Sequence, residues 1–387
     1  MRYLVAILVF LAAPNFGPMA TAAILSVERD GSGDFTTIQA AIDAASPGDE
    51  IVLGPGRYTE TTTRNAGGAT QQIYIYVTKP NLTIRGVDRE SVFIGPAQGP
   101  WRNNHVGALA EVTVPDMRIE SLTIEFMEGG ATAKDILEVQ DCTFRGCHLG
   151  INSITLVKTE VVGSSFVDNT GTGIVVFDFG NPGVEVVIRD CEFSGTDGAG
   201  IDLQTSNNVV EDCRFQDNAA GIQFSFAASG SISRCAIEGG LVGITIIGGS
   251  TAVLSDNIIQ GSEGNLFLAQ GSHVSGERNL FAGGSYSTIT IVEGTTELRN
   301  CHILAGSSGQ RVRVTTTVPP AHIVDLAYNY WGTTDPSAIA DSILDATDGY
   351  PSITGKVVFE PILGAPVSAR DTSFGGLKAQ FGSDGEE

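Results

Sequence analysis

Positive charge is what this sequence has least of. Lys and Arg number 22 against 44 Asp and Glu, giving a net charge of -22 and a pI near 4.5. So acidic a surface repels nucleic acid and anionic membrane faces, and leaves neutral glycans, cations or other proteins as partners. Long apolar runs are as scarce. The one at Leu4 to Ala13 follows Arg2 and precedes Ala20-Thr21-Ala22, the three parts of a secretory signal peptide. Nothing after it is apolar for long enough to form a membrane span. Residues 1–22 are therefore expected to be a signal peptide, and the mature chain to be secreted, extracellular or at the cell surface. No cysteine stands at the cleavage point, which speaks against a lipid anchor. A repeat built of helices is excluded too, because it would need runs of ten or more residues with 3.6 periodicity and glycines fall where those runs would have to pass.

What is present is a repeat. Cys191, Cys213, Cys235, Asn257, Asn279 and Cys301 recur at a step of 22, each followed two places later by Phe193, Phe215, Ile237, Ile259, Phe281 or Ile303. A fixed period of this size marks a solenoid, in which each unit buries its apolar side only against its neighbours. Within one unit Asp212-Cys213-Arg214-Phe215 alternates out, in, out, in, the pattern of a strand. A second short strand opens on glycine, as in Gly200-Ile201-Asp202-Leu203 and Gly221-Ile222-Gln223-Phe224, and a third precedes each Cys or Asn, as in Val186-Val187-Ile188. Three strands and three turns per coil predict an all-β, three-faced, right-handed parallel β-helix. Between residues 50 and 362 the period leaves room for roughly 14 coils in one elongated domain.

Six cysteines in an exported chain ordinarily suggest disulfides. Here equivalent inward positions stack one strand apart, a geometry that disulfide torsions do not fit, so they are expected to be core thiols. Asn257 and Asn279 in the same slot can hydrogen-bond along the stack. Cys142, Cys147 and His148 make too short a cluster for a metal site without a second pair, and no metal ligand set is assigned. Asp190, Asp212, Arg234, Asp256 and Arg278 form one outward column in which Asp next to Arg is a favourable pair. Asp190 over Asp212 is a like-charged step, where calcium is possible although no cofactor is required.

Ahead of the coils, Phe35, Ile38, Ala41, Ile42 and Ala45 fall on one helical face, with Thr36 or Thr37 placed to cap it and Pro47-Gly48 to end it. Such a helix would cover the open edge of the first coil. Ile51-Val52-Leu53 then reads as the first buried strand. The stretch Gly31-Ser32-Gly33-Asp34-Phe35-Thr36-Thr37-Ile38-Gln39-Ala40-Ala41-Ile42, followed by Gly48-Asp49 and Gly56-Arg57-Tyr58-Thr59-Glu60, resembles the opening of the pectin methylesterase and pectate-lyase-like right-handed β-helix superfamily. Tyr328-Asn329-Tyr330-Trp331-Gly332, a helix-like run near Ile339 to Leu344, and Gly355 to Pro361 look like the closing coil of secreted bacterial β-helix proteins. The resemblance implies the fold and its N-terminal capping helix. It does not carry the esterase site, because only Gln140-Asp141 and Asp178-Phe179-Gly180 echo that family's catalytic phrases, and the lyase pattern is not legible. The expected organisation is a signal peptide at 1–22, a cap and first coil at 23–60, the β-helix at 61–365 and a flexible tail at 366–387.

The facet after each glycine offers an outward ladder, Asn152, Val175, Asp202, Gln223, Thr245, Phe267 and Thr290, with Gln204 and Ser225 beside it. Short amides and carboxylates at this spacing can exchange hydrogen bonds with sugar hydroxyls. The coil from Ser164 to Cys191 is five residues over the period, and its excess carries Phe177-Asp178-Phe179, aromatics suited to stacking on a sugar ring. A second loop, Gly95 to Gly107, gathers Trp101, Arg102, Asn104 and His105. Candidate catalytic groups are thus Asp178, Asp202 and His105. Candidate substrate-binding groups are Trp101, Arg102, Asn104, Asn152, Phe177, Phe179, Gln204 and Gln223. The sequence points to a monomer that binds polysaccharide or another cell-surface component through this lateral face. The alternatives are a pectin-type lyase, esterase or glycoside hydrolase, and a structural surface protein without catalysis.

Overall fold

Alternation within each 22-residue unit closes the chain into coils. The computed structural model describes residues 22–366 apart from 67–68, 112, 179, 182, 316–322 and 351–352. The expected signal peptide through Thr21, Phe179 and the tail from Val367 lie outside the described residues. Three parallel sheets of 14, 11 and 13 strands run along the rod. They wind in about 13 turns, one short of the number the period allowed. One turn takes Glu185–Arg189 in sheet A, Glu192–Ser194 in sheet B and Ala199–Gln204 in sheet C, before Asn208–Glu211 returns to sheet A. The one antiparallel pairing among described strands is Thr62–Ala66 with Ala69–Val77, at the first edge of sheet C.

The corner from sheet A to sheet B is a single left-handed residue. Asp190, Asp212, Arg234, Asp256 and Arg278 all have φ between 53° and 58°. The charged column is therefore a corner, not a row of outward strand positions; Asp tolerates this backbone because its short side chain bonds locally. Arg234 grips Asp212 with two bonds of 2.8 and 2.7 Å, and Arg278 grips Asp256 at 2.7 and 2.9 Å. Both oxygens of Asp212 are thereby engaged, beside Asp190. Among the described residues no group of three or more His, Cys, Asp or Glu is gathered as for a metal ion.

One residue past this corner the chain turns inward. Cys191, Cys213 and Cys235 are buried free thiols stacked in one column. Burial pushes the thiols of Cys142 and Cys147 up to about 12 and that of Cys301 to about 11. Where asparagine takes the slot, it ties coils together. The Cys235 N–H donates to Asn257 Oδ1 at 2.9 Å, the Asn257 N–H and amide donate to Asn279 Oδ1 at 3.0 and 2.9 Å, and the Cys301 N–H donates to Asn329 Oδ1 at 2.8 Å. A second ladder at the corner from sheet B to sheet C uses Asn169 and Asn218 in the same way.

Two residues further on, the rings of Phe144, Phe166, Phe193 and Phe215 stack at 5.1, 4.8 and 4.7 Å between successive centroids. The glycine that opens each sheet C strand makes room for them. A Cβ on Gly200 would stand 2.8 Å from a Phe215 ring carbon and 2.9 Å from the Gly221 carbonyl oxygen.

The ends differ in detail from expectation. The N-terminal helix is the seven residues Ile38–Ala44, capped by Thr37, with Ile38, Ala41 and Ile42 buried in the core. Phe35 precedes it and bridges to Val27. Sheet A begins one strand earlier than Ile51-Leu53, with Ile24–Val27 paired in register to Glu50–Leu53. At the other end the helix is Pro336–Ala340, started by Asp335, and Ile343–Leu344 forms a strand of sheet C. Trp331 is fully buried, its ring edge-on to that of Phe359 with centroids 6.1 Å apart.

Candidate functional site

Strand pairing fixes the outer face of sheet C. Asn152 pairs with Val175, Val175 with Asp202, Asp202 with Gln223, Gln223 with Thr245, Thr245 with Phe267, and Phe267 with Thr290. The predicted ladder is thus one continuous row, each member one strand spacing of about 4.8 Å from the next. Phe177 pairs with Gln204 in a parallel row two residues along.

The ladder's polar groups are oriented by one another. Ser225 donates to Asp202 Oδ1 at 3.1 Å and the Gln204 amide donates to Asp202 Oδ2 at 3.1 Å. The Asp202 carboxylate is therefore held as an acceptor between two neighbours. Asn152 Oδ1 is shielded and has no partner among the described residues.

Asp178 stands at the corner from sheet C to sheet A, 5% exposed, where it accepts from the backbone N–H groups of Gly180 at 2.7 Å and Ser206 at 3.2 Å. Those bonds pin the five-residue insertion to the next coil, and the Asn181 amide adds a bond to the Leu156 carbonyl at 3.1 Å. The predicted role for this carboxylate finds it already committed to backbone.

The second loop forms a separate group. Trp101 stacks on His148, with centroids 4.8 Å apart and planes 24° off parallel. His105 Nδ1 lies 3.2 Å from the Tyr74 hydroxyl, and burial, followed by the charge of Arg102, lowers its pKa. Arg102 and Asn104 are exposed, and the Asn104 N–H donates to Glu128. Arg57 anchors the start of the loop, donating to the carbonyls of Gly95 at 3.1 Å and Pro96 at 2.9 Å and to the buried Glu125 at 2.6 Å. Arg145 holds Glu125 from the other side.

These groups do not converge. His105 lies four strands and four residues from Asp202, about 23 Å by strand and residue spacing. Gln140 lies on sheet A and Asp141 at its corner with sheet B, on a different side from Asp178. Cys142 and Cys147 are buried while His148 faces Trp101, so that cluster is split.

Sequence reasoning missed two aromatics. Phe226 is 76% exposed at the corner just past Ser225, and Tyr286 is 51% exposed on the opposite edge of sheet C. The signal was there for Phe226, since the next coil fills the same corner with Gly248-Gly249. Sheet A also carries shallow depressions. One of about 340 Å³ is lined by Ser231, Thr251, Val253 and Ser275 together with the imidazole of His273.

A family model described as a right handed beta helix region matches residues 116–239 and 179–317, together just over half of the chain. The chain belongs to this right-handed β-helix family. No curated protein matches the sequence. Among solved structures the β-helix is similar to the A-module of the mannuronan C-5 epimerase AlgE4 of Azotobacter vinelandii, at 12% identity over 84% of this chain and 93% of that one, with a TM-score of 0.37. It is similar also to a mannuronic acid specific family 6 lyase from human gut microbiota, at 12% identity, 88% and 92% coverage and a TM-score of 0.39. The pectate lyase Pel9A gives 12% identity, 82% and 79% coverage and a TM-score of 0.32. These remote structural relatives are polysaccharide-active enzymes, and at this level the likeness is one of fold alone. Among the described residues no helix is long and apolar enough to cross a membrane.

Proposed function

We propose that this β-helix is exported and binds an extracellular polysaccharide along the outer face of sheet C. The observation that carries the reading is the register-locked row Asn152, Val175, Asp202, Gln223 and Thr245, polar at four of its five positions, with Phe177 and the exposed Phe226 along one edge. A pyranose ring is about as long as one strand spacing, so successive sugars meet successive coils. The amide and carboxylate groups address hydroxyls while the aromatic edge offers apolar sugar faces a surface to stack on.

Binding is favoured over hydrolysis because no second carboxylate faces Asp202 among the described residues. Glycoside hydrolysis needs a pair about 5 to 9 Å apart. Asp178 is occupied by backbone donors, and His105 belongs to another part of the face.

A panel of soluble plant and bacterial polysaccharides tests the reading by retention in affinity electrophoresis. Retardation by at least one polymer is expected, and passage of the protein unretarded through all of them would remove it. A product assay on pectin and polygalacturonate separates binding from catalysis. Product that Asp202→Ala abolishes would replace the binding reading with an enzymatic one.

A further inference from the structure

Toward its C-terminal end, sheet C carries two arginines. Arg313 continues the ladder, paired with Thr290 on one side and Leu344 on the other. Arg311 stands two residues earlier, across the buried Val312, so both side chains leave the strand on its outer side. Arg311 is fixed at its backbone, its N–H donating to the Ser342 carbonyl at 2.8 Å and its carbonyl accepting from Ile289 at 2.8 Å. The guanidinium of Arg313 lies over the ring of Tyr286, 5.0 Å from its centroid.

Most arginines of this chain are engaged by carboxylates, among them Arg57, Arg118, Arg145, Arg234, Arg278 and Arg299. Arg311 and Arg313 form no ion pair among the described residues. The Nε–H of each is shut away from solvent and has no acceptor among the described residues. Burial lowers the pKa of Arg311, with no carboxylate opposing it. In a chain with two acidic residues for every basic one, partners for two arginines are not scarce. A buried donor left without an acceptor is costly, and an absent ion is one of its ordinary explanations.

We propose that Arg311 and Arg313 form a subsite for an oxoanion, a carboxylate or sulfate group, at the C-terminal end of sheet C. The two Nη groups of each guanidinium lie in one plane, and their N–H donors match two oxygens of such a group. Tyr286 supports the Arg313 fork from one face, leaving its edge directed at the ligand. The anion is either free in solution or carried on an acidic glycan. The subsite stands apart from the polysaccharide reading, because the same two forks hold a free anion without any polymer.

The test is thermal melting of the full chain titrated with sodium sulfate. Wild type is compared with the Arg311→Gln/Arg313→Gln double variant and with Arg214→Gln, a distant control. Sulfate stabilises proteins generally, so the readout is the saturable part of the rise. Wild type and Arg214→Gln should show it, and the double variant should lose it. Should the double variant fail to fold, Arg313→Lys keeps the charge without the fork, and its apparent affinity should fall at least tenfold. Polygalacturonate and a sulfated oligosaccharide, against their neutral counterparts, then identify the source. A polymer held at least tenfold more tightly than free sulfate, with that gain lost in the variants, places the anion on a glycan. Equal affinity assigns it to free solute. Identical responses of wild type and variants to every anion would overturn the proposal.

Discussion

Asn279→Ala should be among the most damaging single changes available at the coil corner. The Asn279 side chain takes two bonds from Asn257, from its backbone N–H at 3.0 Å and its amide at 2.9 Å, and donates to the carbonyls of Leu254 at 2.9 Å and Glu277 at 3.1 Å. Truncation leaves the Asn257 N–H buried without an acceptor, which costs about 1–3 kcal/mol, and removes further bonds worth about 1 kcal/mol net. The expected loss is thus about 2–4 kcal/mol. The repeat itself supplies a milder change. At Cys301 a thiol sits in the equivalent slot and accepts the Asn279 N–H at 3.4 Å. Asn279→Cys should therefore cost about half as much, since a weak acceptor remains. Urea unfolding followed by far-ultraviolet circular dichroism measures both, provided the rod unfolds in one transition. An alanine variant within about 0.5 kcal/mol of wild type, or a cysteine variant as unstable as the alanine one, would refute the reasoning.

Gly200→Ala drives a Cβ against the Phe215 ring and the Gly221 carbonyl oxygen. It should lower the urea midpoint by an amount equivalent to about 1–3 kcal/mol, and an unchanged midpoint would contradict the packing account. All six cysteines are buried and free. A thiol reagent at pH 8 should therefore find none of them in the folded protein and all six in denaturant; rapid labelling of the native chain would show the column to be open. On sheet A, burial draws the Glu138 carboxyl up, but the bonds from Arg118 and Lys158 outweigh it and leave it below its ordinary value. Its folded pKa is thus depressed, so its stabilisation is complete above the unfolded value of about 4.3 and is lost as pH falls through the folded one. The melting temperature should drop on acidification below about pH 5, and less steeply in Glu138→Gln; parallel slopes would argue against this role.

Much of the rod was legible because its stacking is written in identical steps. The column from Cys191 to Cys301 is written in steps of 22, and the aromatic stack and the sheet C ladder keep close to that period except across the five-residue insertion after Phe166. The corner residues were misread because alternation alone cannot tell an outward strand position from a left-handed one. Asp212 before Cys213 satisfies both, and only the backbone angle separates them. The N-terminal strand Ile24–Val27 was missed because it precedes the repeat and carries no copy of it.

Site residues were harder to place. Asp178 and the Trp101 loop were picked for their chemistry, but their partners come from other coils, Ser206 for the one and His148 for the other. Arg311 and Arg313 attract no notice in sequence, since their distinction is a buried Nε–H with no acceptor among the described residues, which depends on what surrounds them.

The claim that sheet C is the binding face is tested most directly by comparing faces. Phe226→Ala and Gln223→Ala alter sheet C at exposed or partly exposed positions, whereas Val253→Ser alters the groove of sheet A. With a polysaccharide that retards the wild type, calorimetric titration should show at least a tenfold weaker association constant for the sheet C double variant, about 1.4 kcal/mol, at an unchanged melting temperature. Val253→Ser should bind as wild type does. Full affinity in the double variant, or a loss confined to Val253→Ser, would contradict the account.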